Sequence, residues 1–400
     1  MKKILFYCQY LAGMGHLVRS TEIIRSLIQE FQVCLVIGGE PIPGFTVPQG
    51  ADVVYLPALR EEAGALIATD AALEQVKTQR QQVLLAIFEQ FQPDCVVTEC
   101  FPFSKYKMAF ELLPLLERAR AAQIKVVCSL RDLIMTQTMS AQGLARKQAR
   151  IHEQIRQFYD LVLYHSDPTL CPLEACFPTA ADLKCEVFYT GYVAQSPSSS
   201  SPWKAGDRVA LQTRTPKIIA SAGGGRDGYP LLKAILEASP LLEALPHQIY
   251  VFAGPFMPEA QFADLESLAA FKANVTLRRF TPHLLDYLAQ ADLSISLGGY
   301  NTTMDVLRTG VRSLIAPSPS VDQVDEQMLR ATRLAQMGVV EVLSPDQLSP
   351  AHLAQAILQR LELPRSAHSI NLDGAQNASR RLQRLLDDVP IEPGVAISAA

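Results

Sequence analysis

The most informative residues of this chain are two glycines that are followed by the polar start of a predicted helix. Their spacing indicates a site for a phosphate. Gly298 and Gly299 follow an apolar run typical of a buried strand, and Asn301 and Thr302 precede residues typical of a helix. Glycines at a strand end allow a tight turn and the close approach of a ligand. Asn301 or Thr302 is a good N-cap, and the N–H groups of a helix start favour an anion. The stretch therefore predicts a phosphate cradle.

A carboxylate follows this cradle at helical spacing. Asp305 lies four residues after Asn301, which places it about one turn later on the same face of the helix. An acid at that place can accept hydrogen bonds from both hydroxyls of a ribose. A phosphate cradle with a diol acceptor one turn away is typical of a nucleotide-sugar site.

A second glycine-rich turn follows the predicted strand at residues 217–221. Gly223, Gly224 and Gly225, with Gly228 shortly after them, expose backbone N–H groups that can form a nest for an anion. The Gly-Lys-Ser/Thr ending of a P-loop does not follow, and the glycine spacing differs from that of the dinucleotide fingerprint. A glycine-rich turn without a ligand is the alternative interpretation.

A histidine and an arginine lie at the start of the first predicted helix. Gly13 and Gly15 make the turn after the first strand, and His16 and Arg19 follow with i, i+3 spacing on one helix face. A histidine at the carboxyl edge of a parallel sheet can act as a general base near neutral pH. Arg19 would contact phosphate or hold an acid in place. The alternative is that Gly15 only permits the turn and His16 caps the helix.

Charged and aromatic residues follow the fourth and fifth predicted strands. Glu99 is a candidate second acid or base. Arg131 is a candidate cleft residue that we expect to pair with Asp132 in a structural role. Phe103 is a candidate wall of the acceptor site, although aromatic residues beside strands are usually part of the core.

Two loops in the second half of the chain are weaker candidates. Backbone groups around Arg279 and Phe280 can pair with the edge of a base, and Gln327, with Glu326 before it, can bond sugar hydroxyls. Taken alone, each favours a structural interpretation. The first is an ordinary strand-to-helix connection, and acids at a helix start complement the helix dipole without any ligand.

The composition excludes several classes of protein. The chain has 400 residues, 48% of them hydrophobic and 19% charged, which is typical of a globular protein with two domains. A net charge of −4 gives no basic field for nucleic acid, and no apolar run reaches the ~18 residues of a membrane span. The apolar run after Met1 is too short for a signal peptide, so we expect a cytoplasmic protein.

The eight cysteines all lie before residue 186. Cys8, Cys34, Cys95 and Cys128 fall in predicted strands, and we expect them to be reduced core thiols. The cluster that begins at Cys171 has the spacing C-x4-C-x8-C, without the close C-x2-C pair usual in zinc sites. The sequence therefore predicts structural thiols and no metal site.

Short apolar strands alternate with amphipathic helices throughout the chain. This alternation predicts an α/β fold with two doubly wound, Rossmann-like parallel-sheet domains facing across a cleft. The expected boundaries are an N-terminal acceptor-binding domain at 1–193, a Ser/Pro-rich linker at 194–216, a C-terminal donor-binding domain at 217–372, a helix at 373–388 that crosses back to the first domain, and a loose tail at 389–400.

With these residues, the chain resembles a GT-B glycosyltransferase with a family 28-type C-terminal domain, from a bacterial group related to the transferase that adds N-acetylglucosamine to a peptidoglycan precursor. The resemblance is carried by a set of positions in the second half: Gly298, Gly299, Tyr300, Asn301, Thr302, Asp305, Gly310, Pro317, Asp325, Glu326 and Gln327. It implies that Asp305, where the family often has Glu, takes the ribose hydroxyls. It also implies that the Phe280 loop holds the base and that Gln327 reaches the donor sugar.

The resemblance further implies a nucleoside-diphosphate sugar as donor, with UDP as the usual nucleotide, an inverting transfer to a hydroxyl or amine, and neither cofactor nor metal. The acceptor stays open, although residues 39–74 are expected to form acceptor loops. No nucleic-acid partner is expected. A membrane-surface contact through residues 41–45 is not indicated, because a basic cluster is lacking.

Three other functions stay open. Gly13, Gly15, His16 and Arg19 also match the G-x-G-H-x-x-R pattern of a nucleotide-sugar hydrolase, in which the histidine helps to activate water. A nucleotide-sugar-binding protein without catalysis is a second alternative. An epimerase is a third and weaker one, since the sequence shows no clear acid/base set for it.

Overall fold

Two units make up the chain, and the computed structural model describes eight stretches of it: residues 1–11, 14–42, 45–62, 64–68, 72–131, 139–196, 214–316 and 324–387. The first unit contains Met1–Ala194 and the segment from Ser369 onward. The second unit contains Gln195–His368.

The first unit is built on a seven-stranded sheet. Its strands and the hairpin strands beside it are β1 (Lys3–Cys8), β2 (Gln32–Ile37), β3 (Ala51–Tyr55), β4 (Leu59–Glu62), β5 (Ala65–Ala68), β6 (Cys95–Glu99), β7 (Lys125–Arg131), β8 (Leu161–His165) and β9 (Glu186–Tyr189). Its first four helices are α1 (Gly15–Leu27), α2 (Leu73–Phe91), α3 (Ala109–Ala121) and α4 (Ala141–Phe158).

All seven strands of this sheet run parallel, in the order β3-β2-β1-β6-β7-β8-β9. The strands at the centre are apolar along their length because helices cover both faces of a parallel sheet. Residues 4–8 and 33–37, for example, are fully buried. Outside the sheet, β4 and β5 form an antiparallel hairpin. No strand was predicted there.

The second unit has a six-stranded sheet. Its strands are β10 (Lys217–Ser221), β11 (Gln248–Phe252), β12 (Val275–Arg278), β13 (Leu293–Leu297), β14 (Arg312–Ala316) and β15 (Glu341–Val342). Its helices are α5 (Tyr229–Ala238), α6 (Glu259–Ala269), α7 (Leu284–Gln290), α8 (Tyr300–Thr309), α9 (Val324–Gln336) and α10 (Pro350–Glu362). The strand order is β12-β11-β10-β13-β14-β15, and every pair is parallel.

The strand order reverses once in each sheet, between β1 and β6 in the first unit and between β10 and β13 in the second. In doubly wound sheets, ligands bind at the carboxyl ends of the strands beside such a switch point. Two parallel α/β sheets of this kind confirm the predicted fold class. Ligand-binding residues are therefore expected at the carboxyl ends of β1, β6, β10 and β13.

The last described helix, α11 (Gly374–Leu386), belongs to the first unit. Asn371 accepts a hydrogen bond from the backbone N–H of Tyr192 (2.8 Å), and Asp373 forms an isolated bridge with Val193. The helix packs on α1. The residues just before α11 are therefore bonded to Tyr192 and Val193, at the end of the N-terminal part of the first unit.

Candidate functional site

A histidine and a glutamate meet at the switch point of the first sheet. His16 lies in the first turn of α1, directly after β1, and Glu99 is the last residue of β6. Nδ1 of His16 is 2.6 Å from Oε1 of Glu99. Arg19, one turn further along α1, donates from Nη2 to the same oxygen. Residues separated by 80 positions in the sequence thus form one contact set.

Burial differs among these three side chains. Glu99 is fully buried and Arg19 nearly so, whereas 19% of the His16 side chain is exposed. Oε2 of Glu99 is also buried and has no hydrogen-bond partner among the described residues, so both close contacts fall on Oε1. The imidazole is therefore the member of the set that solvent or a substrate reaches.

The charges in this set follow from its environment. Burial lowers the pKa of His16 to about 3, against the opposing effect of Glu99, and the charges of Lys105 and Arg131 lower it further. Burial alone would raise the pKa of Glu99, but His16 and Arg19 outweigh it and hold that pKa well below its usual value. At neutral pH, an ionised Glu99 accepts the Nδ1–H of a neutral His16. Nε2 is then left as a proton acceptor.

Among the residues that the structure describes, one set brings three potential metal-ligand atoms within 4.8 Å of one another: His16, Glu99 and Cys100. Burial raises the pKa of the Cys100 thiol to about 11, so a metal ion would have to displace its proton. Arg19 also places its positive charge on the oxygen that a metal would need. The set fits a metal ion poorly, and a metal-independent reaction stays a prediction.

The structure corrects the interpretation of Phe103. Its side chain is fully buried and packs edge-on against Phe177, with ring centroids 5.5 Å apart. It is a core residue and forms no wall of an acceptor site. Arg131 lies at the carboxyl end of β7, in register with His165 of β8. Its predicted partner Asp132 lies outside the described residues.

Gly15 is the first residue of α1, and Gly13 lies outside the described residues. The cysteines of the predicted strands are buried as expected, and all eight cysteines of the chain, each within the described residues, are free thiols.

In the second unit, the turn from β13 to α8 differs from the prediction in one respect. The N-cap is Gly299, with extended backbone angles, and the helix starts at Tyr300. The prediction of Asn301 or Thr302 as N-cap was therefore wrong. Among the described residues, Gly299 receives no side-chain cap. The start of a helix suits an anionic ligand, because its first backbone N–H groups have no partner within the helix.

Asp305 lies on α8, as its spacing predicts. It is 2% exposed, and its Oδ2 accepts a hydrogen bond from Nε2 of Gln195 (3.3 Å). Thr302, three residues earlier, is also buried. The carboxylate therefore lies in the second turn of the helix whose start forms the turn described above.

The glycine turn after β10 packs closely against the loop after β11 and is hydrogen-bonded to it. Gly223 and Gly225 both have positive φ, +59° and +95°. The carbonyl of Gly224 accepts the N–H of Phe256 at 2.9 Å. A Cβ on Gly225 would lie 2.5 Å from the carbonyl oxygen of Ala253, so only glycine fits there. The backbone conformation of this turn is thus specified by packing.

Arg279 binds protein groups in this structure. Its guanidinium donates to the carbonyl of Met257 (2.9 Å) and to Glu259 (2.6 Å), and it lies 4.1 Å from the ring centroid of Phe262. Its own carbonyl accepts the N–H of Gly254 at 2.7 Å. The side chain therefore braces the loops after β11 and β12 against each other. The role of the loop at Phe280 in holding a base stays a prediction.

Gln327 lies on α9 and faces the turn at Gly298. It is 8% exposed, and its Cβ is 3.7 Å from the place that a Cβ on Gly298 would occupy. The side chain of Glu326 lies outside the described residues. The structure thus places three groups of predicted donor residues at the carboxyl edge of one sheet, where they follow β10, β13 and β14.

Residues 219–383 match the glycosyltransferase family 28 C-terminal domain, a range that includes α8, α9 and both glycine turns. The fold of the chain is that of GT-B glycosyltransferases of known structure. The chain thus has the GT-B fold, and its second half is similar to the glycosyltransferase family 28 C-terminal domain. The resemblance inferred from the sequence is confirmed.

The relatives of this GT-B protein are transferases. A UDP-N-acetylglucosamine–N-acetylmuramyl-(pentapeptide) pyrophosphoryl-undecaprenol N-acetylglucosamine transferase of Exiguobacterium is 28% identical over 173 residues, which are 43% of this chain and 47% of the relative. The NDP-glycosyltransferase YjiC of Bacillus subtilis is 36% identical over 94 residues, 24% of this chain and 22% of the relative. The chain spans about half the length of the Exiguobacterium relative and about a fifth of the Bacillus subtilis one.

Two solved structures show the same fold over nearly the whole chain. A UDP-glucosyltransferase from Polygonum tinctorium aligns with a TM-score of 0.65 at 12% identity, covering 97% of this chain and 99% of its own. MurG of Acinetobacter baumannii aligns with a TM-score of 0.55 at 19% identity, with the same coverage. None of the helices in the part of the chain that the structure describes combines the length and apolarity that a bilayer crossing requires.

One residue of the family 28 domain was missed by sequence reasoning. Arg330 is 2% exposed, and its Nη1 donates to the carbonyl of Gly298 at 3.1 Å. It follows Gln327 by three residues on a predicted helix, so helical spacing alone could have placed both on one face. Because a long basic side chain in a helix is usually exposed to solvent, the contact of Arg330 with the Gly298 turn was not predicted.

Proposed function

We propose that the protein transfers a sugar from a nucleoside-diphosphate sugar to a hydroxyl or amine acceptor, with inversion and without a metal ion. The observation that carries the proposal is the contact between His16 and Glu99 at the switch point of the first sheet. The family 28 domain supplies the complementary half, because its glycine turns lie at the switch point of the second sheet.

The donor would be held by the second unit. The start of α8 at Gly299 would meet the diphosphate with backbone N–H groups. The turn at Gly223–Gly225 would let it approach the backbone closely, although the N–H groups of Gly223 and Gly225 already bond Ser221 and Ala222. Asp305 would accept the ribose hydroxyls in place of its present contact with Gln195. The loop at Phe280 would hold the base, and Gln327 would reach the donor sugar. The relative from Exiguobacterium is named for a UDP-sugar, which favours UDP as the nucleotide here.

The reaction would be a single displacement. Nε2 of His16 takes the proton of the acceptor hydroxyl while its oxygen bonds to the anomeric carbon, and the bond from that carbon to the diphosphate oxygen breaks. Attack on the face opposite the leaving group inverts the configuration. Negative charge develops on the diphosphate, where the N–H groups at the start of α8 stabilise it.

Glu99 and Arg19 have positioning roles in this scheme. Glu99 holds the Nδ1–H of His16, which fixes the tautomer that leaves Nε2 free to accept, and it stabilises the imidazolium that forms. Arg19 keeps Glu99 ionised although it is buried. These contacts favour a role for Glu99 in orienting the base, whereas the sequence suggested a second acid or base.

The test begins with binding. A panel of nucleotide sugars, with UDP-sugars first, is added to the full chain, and thermal unfolding is followed. A ligand at a hundredfold excess over its Kd should stabilise the protein by about 2.7 kcal/mol. Release of nucleoside diphosphate is then measured with the donor that binds and a panel of acceptors.

The decisive variant is His16→Ala. It should lower turnover by roughly 10²–10⁴-fold, the usual contribution of a general base, without weakening donor binding. His152→Ala, which changes a partly buried histidine bonded to Thr179 in the same unit, is the matched control. Full turnover in His16→Ala would refute the proposed base. Release that is equally fast with and without acceptors would favour the hydrolase.

A further inference from the structure

Arg330 joins α9 to the turn at the start of α8. Its Nη1 donates to the carbonyl oxygen of Gly298 at 3.1 Å. Its guanidinium carbon lies 5.4 Å from the ring centroid of Tyr300, the first residue of α8. Only 2% of its surface is exposed. A buried cation therefore contacts both sides of the helix start, the residue before the N-cap and the residue after it.

Packing and a backbone hydrogen bond also define this turn. Gly298 lies between α9 and β14, because a Cβ there would be 3.0 Å from Cγ2 of Ile315 and 3.7 Å from Cβ of Gln327. The N–H of Gly299 turns back to the carbonyl of Leu297 at 2.6 Å. Since no described side chain caps Gly299, the direction of the N–H groups at the start of α8 depends on this turn. Arg330 holds the carbonyl at its centre.

The charge of Arg330 has a second consequence. The start of a helix carries a partial positive charge, and a buried guanidinium beside it is of the same sign. Burial strengthens this interaction because little water screens it. An anion at the helix start is attracted both by the partial charge of the helix and by the guanidinium. The place is therefore better suited to a doubly charged group than a helix start alone would be.

We propose that Arg330 is a positioning residue for the diphosphate of the donor. It fixes the Gly298 turn so that the N–H groups at the start of α8 meet the diphosphate, and its charge adds to their attraction. The inference rests on the proposed function, since it assumes that the donor diphosphate binds at this turn. It predicts that Arg330 supports the binding of the diphosphate and leaves the binding of the nucleoside unchanged.

The experiment compares a nucleotide with its nucleoside. UDP and uridine are titrated calorimetrically into the full chain and into Arg330→Met and Arg330→Lys. Arg330→Met should weaken UDP binding by tenfold or more while the Kd for uridine changes by less than twofold. Arg330→Lys should recover part of the loss, because an ammonium keeps the charge. Arg333→Met, on the same helix, is the matched control and should bind UDP as the parent does.

The outcomes separate the two proposals. Equal losses for UDP and uridine in Arg330→Met would overturn the inference, because they would indicate general damage to the domain. Unchanged UDP binding in a variant with parental circular dichroism would overturn it as well. If UDP and the other nucleoside diphosphates all fail to bind the parent chain, the donor site itself is refuted, and with it the proposed function.

Discussion

The two switch points lie at the same place in two similar sheets and differ completely in chemistry. In the first unit, His16 after β1 and Glu99 at the end of β6 are titratable, and their side chains lie 2.6 Å apart. In the second unit, glycines follow both β10 and β13, and Gly223 and Gly225 after β10 have positive φ, +59° and +95°. One edge is suited to moving a proton and the other to receiving a phosphate through the backbone.

The difference follows from what each task requires. A base must have its tautomer fixed and its charge tuned, which needs side chains in contact and shielded from water. A diphosphate already carries its charge and needs closely spaced N–H groups, which side chains would obstruct. The same doubly wound topology thus provides either solution according to which residue types follow the strands. Function is decided by these few positions, whereas the fold is decided by the strands before them.

The largest expected effect comes from breaking the first switch point. Glu99→Gln keeps the shape of the side chain and removes the charge that holds His16, so kcat should fall by roughly 10²-fold or more. The KM for the donor should stay within about twofold, since the proposed donor site lies in the second unit. Steady-state release of nucleoside diphosphate with a working acceptor measures both quantities.

Glu111 provides the control for this variant. It is another fully buried glutamate of the first unit, paired with Arg80 at 2.6 Å. Glu111→Gln should destabilise the fold by about 3 kcal/mol or more without changing the kcat of the folded fraction. If both variants lower kcat per folded molecule equally, Glu99 has only a structural role and the contrast between the two edges fails.

The second-largest effect is expected in the glycine turn after β10, where it tests how far packing fixes the backbone. Gly225→Ala would place a Cβ 2.5 Å from the carbonyl oxygen of Ala253 at a φ of +95°, so it should destabilise the protein by about 3 kcal/mol. At Gly223, with φ +59° and no atom of another described residue beyond its chain neighbours within 4 Å of the added Cβ, the cost should be only about 1–2 kcal/mol. Urea unfolding of both variants measures the difference. Equal losses would show that backbone packing does not specify this turn.

A smaller effect is expected at Asp305. Asp305→Asn should weaken UDP binding by about tenfold, because a hydrogen bond to a charged acceptor is worth roughly 1.5–3 kcal/mol. The same substitution should weaken the binding of 2′-deoxy-UDP less, because that nucleotide lacks one of the two hydroxyls concerned. Calorimetric titration of both nucleotides into both proteins completes the cycle. A loss of the same size for the deoxy nucleotide would rule out the contact with the 2′-hydroxyl.

The smallest effect is a displacement of the pH profile. Because burial lowers the pKa of His16 to about 3, the base stays neutral well below pH 6.5, and kcat should be nearly constant between about pH 5 and 7. Activity is lost only as the pH falls toward the lowered value, where the proton occupies Nε2. A kcat that halves near pH 6.5 would contradict this description of the first edge.

Stability has to be followed in the same experiment. His16 and His165 both have a folded pKa of about 3, below the value of an unfolded histidine. Their contribution to stability is present above about pH 6.5 and is lost as the pH falls, since the unfolded chain then binds more protons. Circular dichroism at each pH separates acid unfolding from protonation of the base.

Most of the fold could be predicted because its signals are local. The strands that end at Cys8, Ile37 and Leu297 are apolar runs followed by glycine or polar turns, and a parallel sheet demands that pattern. The hairpin of β4 and β5 was not predicted. Its sequence, Leu59–Glu62 and Ala65–Ala68, has no regular alternation of apolar and polar residues to mark two half-buried strands.

The positions of the candidate site residues could be predicted better than the hydrogen bonds between them. Spacing placed His16 and Glu99 after neighbouring strands, but only the fold shows that Arg19 shares the oxygen that His16 contacts. The N-cap was predicted at Asn301 because its side chain is a good cap, whereas Gly299 takes the extended backbone and the helix starts earlier. Phe103 could not be assigned, since an aromatic residue after a strand fits either a wall or a core.

The return of α11 to the first unit also has a consequence for biosynthesis. Translation delivers Met1–Ala194 first, then the whole of Gln195–His368, and only afterwards the residues from Ser369 that complete the first unit. The second unit can fold on the ribosome while the first still lacks the helix that packs on α1. Expression of residues 1–194 alone would leave the surface of α1 that this helix covers exposed to water, so aggregation of such a fragment is the expected result.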